Sequence, residues 1–384
     1  MTKDIQKKTL SLMGICAIML TSSLTIMVGS AITSALPDLA LEFNIPVFLS
    51  GWLVTVPAFG VILTALFFGR LIDRHGARMV CSIGLLCYGL LGVIGMLMPE
   101  IVSMLIDRFL LGVAAAAIMT SATALISDFY HGHKRLRMIA VQGMAIEVGG
   151  IVFLSLGGFL AELSWRGPFF IYAIAFVAWG WLTAFIPISK KEIRVDGRNE
   201  TDGHETASGK IWPVILLSFL AMFIFFSGIV ALPVHLQVDL GYGKSFTGNY
   251  LAFISLIAVI MAGIMPRIVK GITAKGTLSA AFVCFAAAFL LYYSLTDIVS
   301  MVSAAVLMGI GFGLTIPLLN HLTVERSRKE VRGRNIGFYA MGTFCGQFLS
   351  SIVSTIAHGQ GAFGVVTVIA VLTLLYTIIG FKNK

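Results

Sequence analysis

Three ionisable residues stand inside apolar stretches where a charge is costly: Asp107 and Arg108 in one run, and Glu147 in the next. An ion in hydrocarbon costs several kcal/mol unless it is paired, so residues of this kind mark functional sites. A carboxylate there is either protonated or paired with a cation, and both states suit a group that carries protons. Arg108 lies about seven residues into its run, ahead of Gly112 and a row of alanines. Each residue also has a structural reading. Arg108 can snorkel its head group to the outer interface, and Glu147 can be locked to an arginine without transport chemistry. Neighbouring residues on a helix point about 100° apart, so Asp107 is not expected to face Arg108.

The elements that must position these groups follow from composition. Of 384 residues, 58% are hydrophobic and 12% charged, against about 25% charged in a soluble domain. Lipid offers exposed backbone no hydrogen bonds, so long apolar runs without alternation select membrane-spanning helices over a barrel. Hydropathy windows predict twelve, near 10–33, 47–68, 79–98, 101–127, 138–161, 167–187, 211–233, 245–266, 277–295, 298–322, 334–357 and 362–381. Lys3, Lys7 and Lys8 before the first run imitate a secretory signal, but that run is too long and many like it follow, so it is kept as a helix. The fold class expected is an all-α integral membrane protein, multi-pass in the inner (cytoplasmic) membrane.

Every second connection is basic, and together with the two termini these connections hold 24 of the 27 Lys and Arg residues. Both termini are therefore expected in the cytoplasm. The net charge of +9 reflects this bias rather than a nucleic-acid partner. Segment 188–210 reads as a cytoplasmic linker between six-helix halves 1–187 and 211–384. The halves also correspond at a constant offset of 197 positions: Leu110-Leu111-Gly112-Val113 matches Leu307-Met308-Gly309-Ile310, and Arg135 and Arg137 match Arg332 and Arg334. At about 1.5 Å of rise per residue, Arg108 and Glu147 approach the membrane interior from opposite ends and differ by only about 6 Å in depth. Arg108 is accordingly expected to reach Glu147 and favour its charged form.

The sharpest motif is Gly69-Arg70-Leu71-Ile72-Asp73-Arg74-His75-Gly76-Ala77-Arg78, in the first basic connection. Gly76 permits a tight turn, and Asp73 can pair with arginines or a helix N-terminus. This stretch resembles the loop motif of the major facilitator superfamily, and Asp107-Arg108-Phe109-Leu110-Leu111-Gly112 resembles that family's helix 4 motif, whose arginine is associated with proton coupling. Gly149-Gly150 and Gly157-Gly158 resemble the glycine-rich helix 5 motif of its proton antiporters, except that Phe153-Leu154 replaces the expected Gly-Pro. The resemblance implies two pseudo-symmetric six-helix bundles that rock to expose a midplane cavity to each side in turn. It points to the 12-helix drug:proton exporters, with Gly69, Asp73, Arg74, Gly76 and Arg78 as the gating loop and Asp107, Arg108 and Glu147 as proton-coupling candidates.

In the resembled fold the cavity is lined by helices 1, 4, 7 and 10 with parts of 2, 5, 8 and 11. Phe223 and Phe226, with sparse polar groups at Asn249, Tyr250, Asn320 and Gln347, suit an amphipathic organic molecule better than a sugar. A Phe-rich face turned to lipid reads the same way in sequence. Gly243-Lys244-Ser245 lacks the earlier glycine of a P-loop, position 238 being Val, and His131 and His133 read as polar loop residues. No enzyme, metal, cofactor or nucleic-acid partner is expected. The expectation is a monomer in the bilayer that exports a small amphipathic compound, a drug or a natural product such as a siderophore, against a proton flux. The alternative is uptake by symport or facilitated diffusion.

Overall fold

The computed structural model describes residues 10–130, 132–187, 211–328, 332–357 and 359–381. Segment 188–210, which holds the expected linker, and both chain ends lie outside the described residues. Among the described residues all regular structure is helical. Eleven helices are long and apolar enough to cross a membrane. They are α1 (Leu12–Glu42), α2 (Val47–His75), α3 (Ala77–Leu97), α4 (Ile101–Phe129), α5 (Arg137–Leu163), α6 (Gly167–Phe185), α7 (Trp212–Asp239), the 51-residue Lys244–Ser294, α10 (Ile298–Glu325), α11 (Arg334–Ile356) and α12 (Gln360–Gly380).

The 51-residue helix would run on the order of 75 Å if straight, far beyond a hydrocarbon core of about 30 Å. It breaks at Thr273, where φ is 69° and ψ 163°. Tyr250 Oη lies 2.9 Å from Tyr292 Oη, so the limbs fold back side by side. They are α8 (244–272) and α9 (274–294), and with them the described residues hold twelve membrane-length limbs. The sequence places a polar connection at 267–276, whereas the helix runs through that stretch and reverses at one residue.

Local chemistry sets the helix ends. Glu100 and Ser103 form a capping box at the start of α4. At α10, Asp297 Oδ2 accepts from the Ser300 N–H at 3.0 Å, and that backbone hydrogen bond holds the Asp297 carboxyl below the usual carboxylate range. Between α2 and α3 the chain turns on Gly76, at φ 86°, a region L side chains rarely enter.

Two apolar cores form. One draws its buried residues from 10–186, around Leu24, Tyr88, Ile118 and Phe169. The other draws on 214–381 and, from the first half, Leu154. The internal repeat recurs as geometry: a Cβ on Gly112 would strike the Pro57 backbone, and one on Gly309 would meet the Ile254 carbonyl at 2.7 Å, both residues of the second contact lying 197 positions after those of the first.

The two groups of helices meet at the end of the molecule remote from the basic connections. Five polar bridges cluster there. Lys244 pairs with Asp38, and the Ser245 N–H donates to Glu162 Oε1 at 3.1 Å. Gln237 Nε2 donates to the Ser34 carbonyl at 2.9 Å, Trp52 Nε1 to Thr355 Oγ1 at 3.2 Å, and Thr55 and Ser351 share a hydroxyl contact of 2.7 Å. Phe59 stacks on Phe348 with ring centres 5.0 Å apart. Gly158 of α5 and Gly248 of α8 cross backbone to backbone, since a Cβ on Gly158 would lie 2.9 Å from Gly248 Cα. From that crossing toward the basic end, one stripe of α5 passes from burial to exposure: Gly158 and Leu154 are buried, Ile151 and Glu147 half-buried, Gly143 and Ala140 exposed. The groups touch at one end and part toward the other.

Candidate functional site

Glu147 lies on this stripe, three turns from Gly158, at the level where the helices begin to separate. Its carboxylate makes no hydrogen bond or ion pair among the described residues. The other side of α5 is tied down: Gln142 Nε2 donates to Ser22 Oγ of α1 at 3.0 Å and to Thr123 Oγ1 of α4 at 3.3 Å. Gly149 packs against Ser23 of α1, where a Cβ would sit 2.7 Å from that side chain. These contacts turn Glu147 away from α1 and α4, toward the second group.

Arg108 does not reach Glu147. Its Nη2 and Nε donate to Asp107 Oδ2 at 2.6 and 3.1 Å, and Nη1 donates to Tyr172 Oη of α6 at 3.3 Å. The guanidinium carbon stands 5.2 Å from the Phe169 ring centre and 5.4 Å from that of Tyr172. Their contacts separate the two: Arg108 is held to Tyr172 of α6, which reaches Met27 and Val28 of α1, whereas Gly149, beside Glu147, packs on Ser23 of α1. The neighbouring pair forms because the long arginine side chain bends back over its own turn, which a rule based on Cβ directions does not capture. Snorkelling is also excluded, because Arg108 is 0% exposed. Tyr172 Oη in turn approaches the Met27 and Val28 carbonyls at 3.3 and 3.4 Å, and Tyr88 Oη donates to the Leu24 carbonyl at 2.7 Å. The charged pair is thus built into the junction of α1, α3, α4 and α6. Asp107 Oδ1 is buried without a hydrogen-bond partner among the described residues.

In the gating loop, Asp73 and Arg74 are exposed and make no hydrogen bond or ion pair among the described residues. Arg78 alone is engaged, its Nη2 donating to the Thr183 carbonyl at the end of α6 at 2.6 Å. The expected pairing of Asp73 with arginines is absent here, where the loop sits at the separated end. Around Gly69 there is open space, with nothing within 4 Å of where a Cβ would lie.

The cavity candidates divide. Phe223 and Phe226 are half-buried on α7, and Gln347 Nε2 stands 3.7 Å from where a Cβ on Gly29 of α1 would lie, so it reaches across the two groups. Asn320 is exposed on α10, on the stripe that begins against α8 at Gly309 and Gly313. Tyr250 is instead inside the second core, its Oη donating to the Met301 carbonyl at 2.6 Å. Asn249 shares an outward stripe with the exposed Leu256 and Ile260. Neither belongs to the stripe of α8 that meets α5. Sequence reasoning missed Tyr172, Gln142 and the Asp38–Lys244 bridge. For the last a signal existed, because Lys244 is one of the two basic residues that break the alternation of loop charges.

A family model described as Major Facilitator Superfamily matches residues 18–351. Multidrug resistance protein 2 of Bacillus subtilis (strain 168) is 25% identical over 319 residues, covering 79% of each chain. Multidrug resistance protein 1 of the same organism is 27% identical over 215 residues, covering 56% of this chain and 55% of that protein. The quinolone resistance protein NorA of Staphylococcus aureus is 28% identical over 120 residues, 31% of each. Among solved structures, a bacterial homologue of the human lysosomal transporter Spinster, inward-facing and occupied, superposes with a TM-score of 0.78 at 15% identity over 95% of each chain. The inward-open xylose transporter XylE from E. coli gives 0.76 at 14% identity over 96% of each. At such identities the structures speak for the fold alone.

Proposed function

The chain belongs to the Major Facilitator Superfamily, and from that premise we propose that it exports small amphipathic organic compounds in exchange for protons. It is a multi-pass membrane transporter of small molecules and not an enzyme. The observation that carries the reading is Glu147, a half-buried carboxylate, unpartnered among the described residues, on the α5 stripe that leads from the closed end into the gap. Resistance proteins among the relatives support the direction of transport. In this reading the basic end and both termini are cytoplasmic, residues 1–187 and 211–384 rock against each other, and 188–210 connects them. The described state is then open to the cytoplasm of the cell, in the inner membrane. Substrate enters between Phe223, Phe226 and Gln347 while the molecule is open to the cytoplasm and Glu147 gives up its proton there, and Glu147 takes up another proton from outside once the molecule has opened outward and released the substrate. Asp107 and Arg108 hold α4 to α6, and Asp107 Oδ1 is a second place for a proton.

Glu147→Gln imitates the neutral acid. It should abolish substrate accumulation driven by a pH gradient while leaving substrate binding within a few-fold of wild type. Unchanged accumulation with unchanged pH dependence places the proton site elsewhere, with Asp107 next. The uptake reading is favoured by one observation, Phe153-Leu154 where the antiporter pattern has Gly-Pro; both are buried. Transport direction in inside-out vesicles under an imposed pH gradient separates the two.

A further inference from the structure

The outer flank of the first helical group carries a groove that the transport cycle described above does not use. Its walls come from Phe68 and Leu71 of α2, Ile83 and Cys87 of α3, and Leu110 of α4, its floor includes Gly84, Ala114 and Ala117, and it encloses about 240 Å³. The floor is deep because its residues are small: a Cβ on Gly84 would already lie 3.1 Å from that of Ala117. Every lining side chain is apolar apart from the Cys87 thiol. Ile83 is 52% exposed and Leu110 41%, so the groove opens to the surface that faces lipid.

Two features say what occupies it. From Val80 to Leu91 on α3 the groove runs eleven residues, about 16 Å at helical rise, and half of a hydrocarbon core about 30 Å thick is about 15 Å. The groove therefore has the length of one acyl chain in one leaflet. Its lower end lies at the basic connection, where His75 follows Leu71 by one turn and Arg74 stands on the adjoining face, with Arg70 one turn above it. Arg70, Arg74 and His75 are exposed, and none has a hydrogen-bond or ion-pair partner among the described residues. Asp73, the acid of this turn, stands one turn from Arg70 and away from the flank of α2 that carries Phe68 and Leu71. Basic side chains at the cytoplasmic edge of an intramembrane groove match an anionic phospholipid head group. Arginine's long stem lets its head group meet the phosphate while the groove takes the chain.

We propose that this groove binds one anionic phospholipid, with an acyl chain between α2, α3 and α4 and the phosphate on Arg70 and Arg74. The site shares Arg74 with the gating loop, so the lipid couples membrane composition to the loop that carries Asp73.

The test is native mass spectrometry of the full chain in detergent, titrated with phosphatidylglycerol and with phosphatidylcholine of the same chains. One phosphatidylglycerol should be retained about 25-fold more tightly than phosphatidylcholine, roughly fivefold per arginine. Arg70→Ser with Arg74→Ser should bring phosphatidylglycerol to the phosphatidylcholine level. Cys87→Trp should expel both lipids by filling the groove, and Ile83→Trp, at another exposed wall position, serves if that variant does not fold. Equal retention of the two lipids by the wild type, or wild-type phosphatidylglycerol retention by both tryptophan variants, overturns the proposal. So does protection of Cys87 from maleimide by ethidium but not by phosphatidylglycerol, which makes the groove a route for substrate.

Discussion

Gly76 and Thr273 stand 197 positions apart and share one backbone conformation, φ 86° and ψ 147° in the first and φ 69° and ψ 163° in the second. Each reverses the chain between consecutive helices at the basic end, and only the first copy has the residue suited to the task. A β-branched residue held there stores about 1–3 kcal/mol of strain. Thr273→Gly should therefore stabilise the protein by about 1 kcal/mol, once the extra freedom of glycine in the unfolded chain is set against the relief. Gly76→Thr should destabilise it through the backbone alone, because nothing lies within 4 Å of a methyl there. Thermal unfolding in detergent checks both, and a lower midpoint for Thr273→Gly contradicts the argument.

Asp38 and Lys244 bridge the two groups at the closed end, with both side chains 26% exposed. A pair so open to solvent contributes at most about 1 kcal/mol. Asp38→Asn should shift the balance toward the state open at this end by up to about fivefold, and less in high salt. The exchange Asp38→Lys with Lys244→Asp should restore it. Spin-label distances across the closed end read the populations, and a double variant no better than the single removes the pair from the gate.

The buried Asp107–Arg108 pair behaves differently. Removing one partner leaves an uncompensated ion in the core and costs about 3–5 kcal/mol, whereas replacing both by apolar residues is often close to neutral. Asp107→Leu and Arg108→Met should each reduce folded yield sharply, and the double variant should recover most of it. Transport should stay impaired in all three. Additive losses of stability would show that the two residues do not act as a unit.

Asp73 makes no hydrogen bond or ion pair among the described residues, so Asp73→Asn should leave thermal stability unchanged. Its transport rate should nonetheless fall, because the carboxylate is available to pair with arginines or a helix end when the basic end closes. A wild-type rate removes Asp73 from the gate.

Much of the fold was legible because the solvent is lipid. Apolar runs must be helices, and loop charges count them. What sequence could not supply is direction around each helix axis. Lipid-facing and cavity-facing stripes are both apolar, so Asn249 and Tyr250 read like cavity residues although one faces outward and the other is locked to Met301. Reckoning by depth brought Arg108 and Glu147 together, whereas in the fold Arg108 is taken up by Asp107 and Tyr172. Tyr172 left no signal, since a tyrosine in an apolar run has no pattern that names its partner.

The contact between Asp107 and Arg108 also bears on how the chain enters the membrane. A charged residue at the centre of an inserting helix costs about 2.5–3.5 kcal/mol, and most intramembrane ions must wait for a partner on another helix. Here the partners are consecutive and bond within one turn. Their charges are matched as soon as α4 is helical, before α6 has been synthesised to bring Tyr172. The segment can partition as a nearly neutral helix during translation, and the tyrosine contact is a later refinement rather than a condition for insertion.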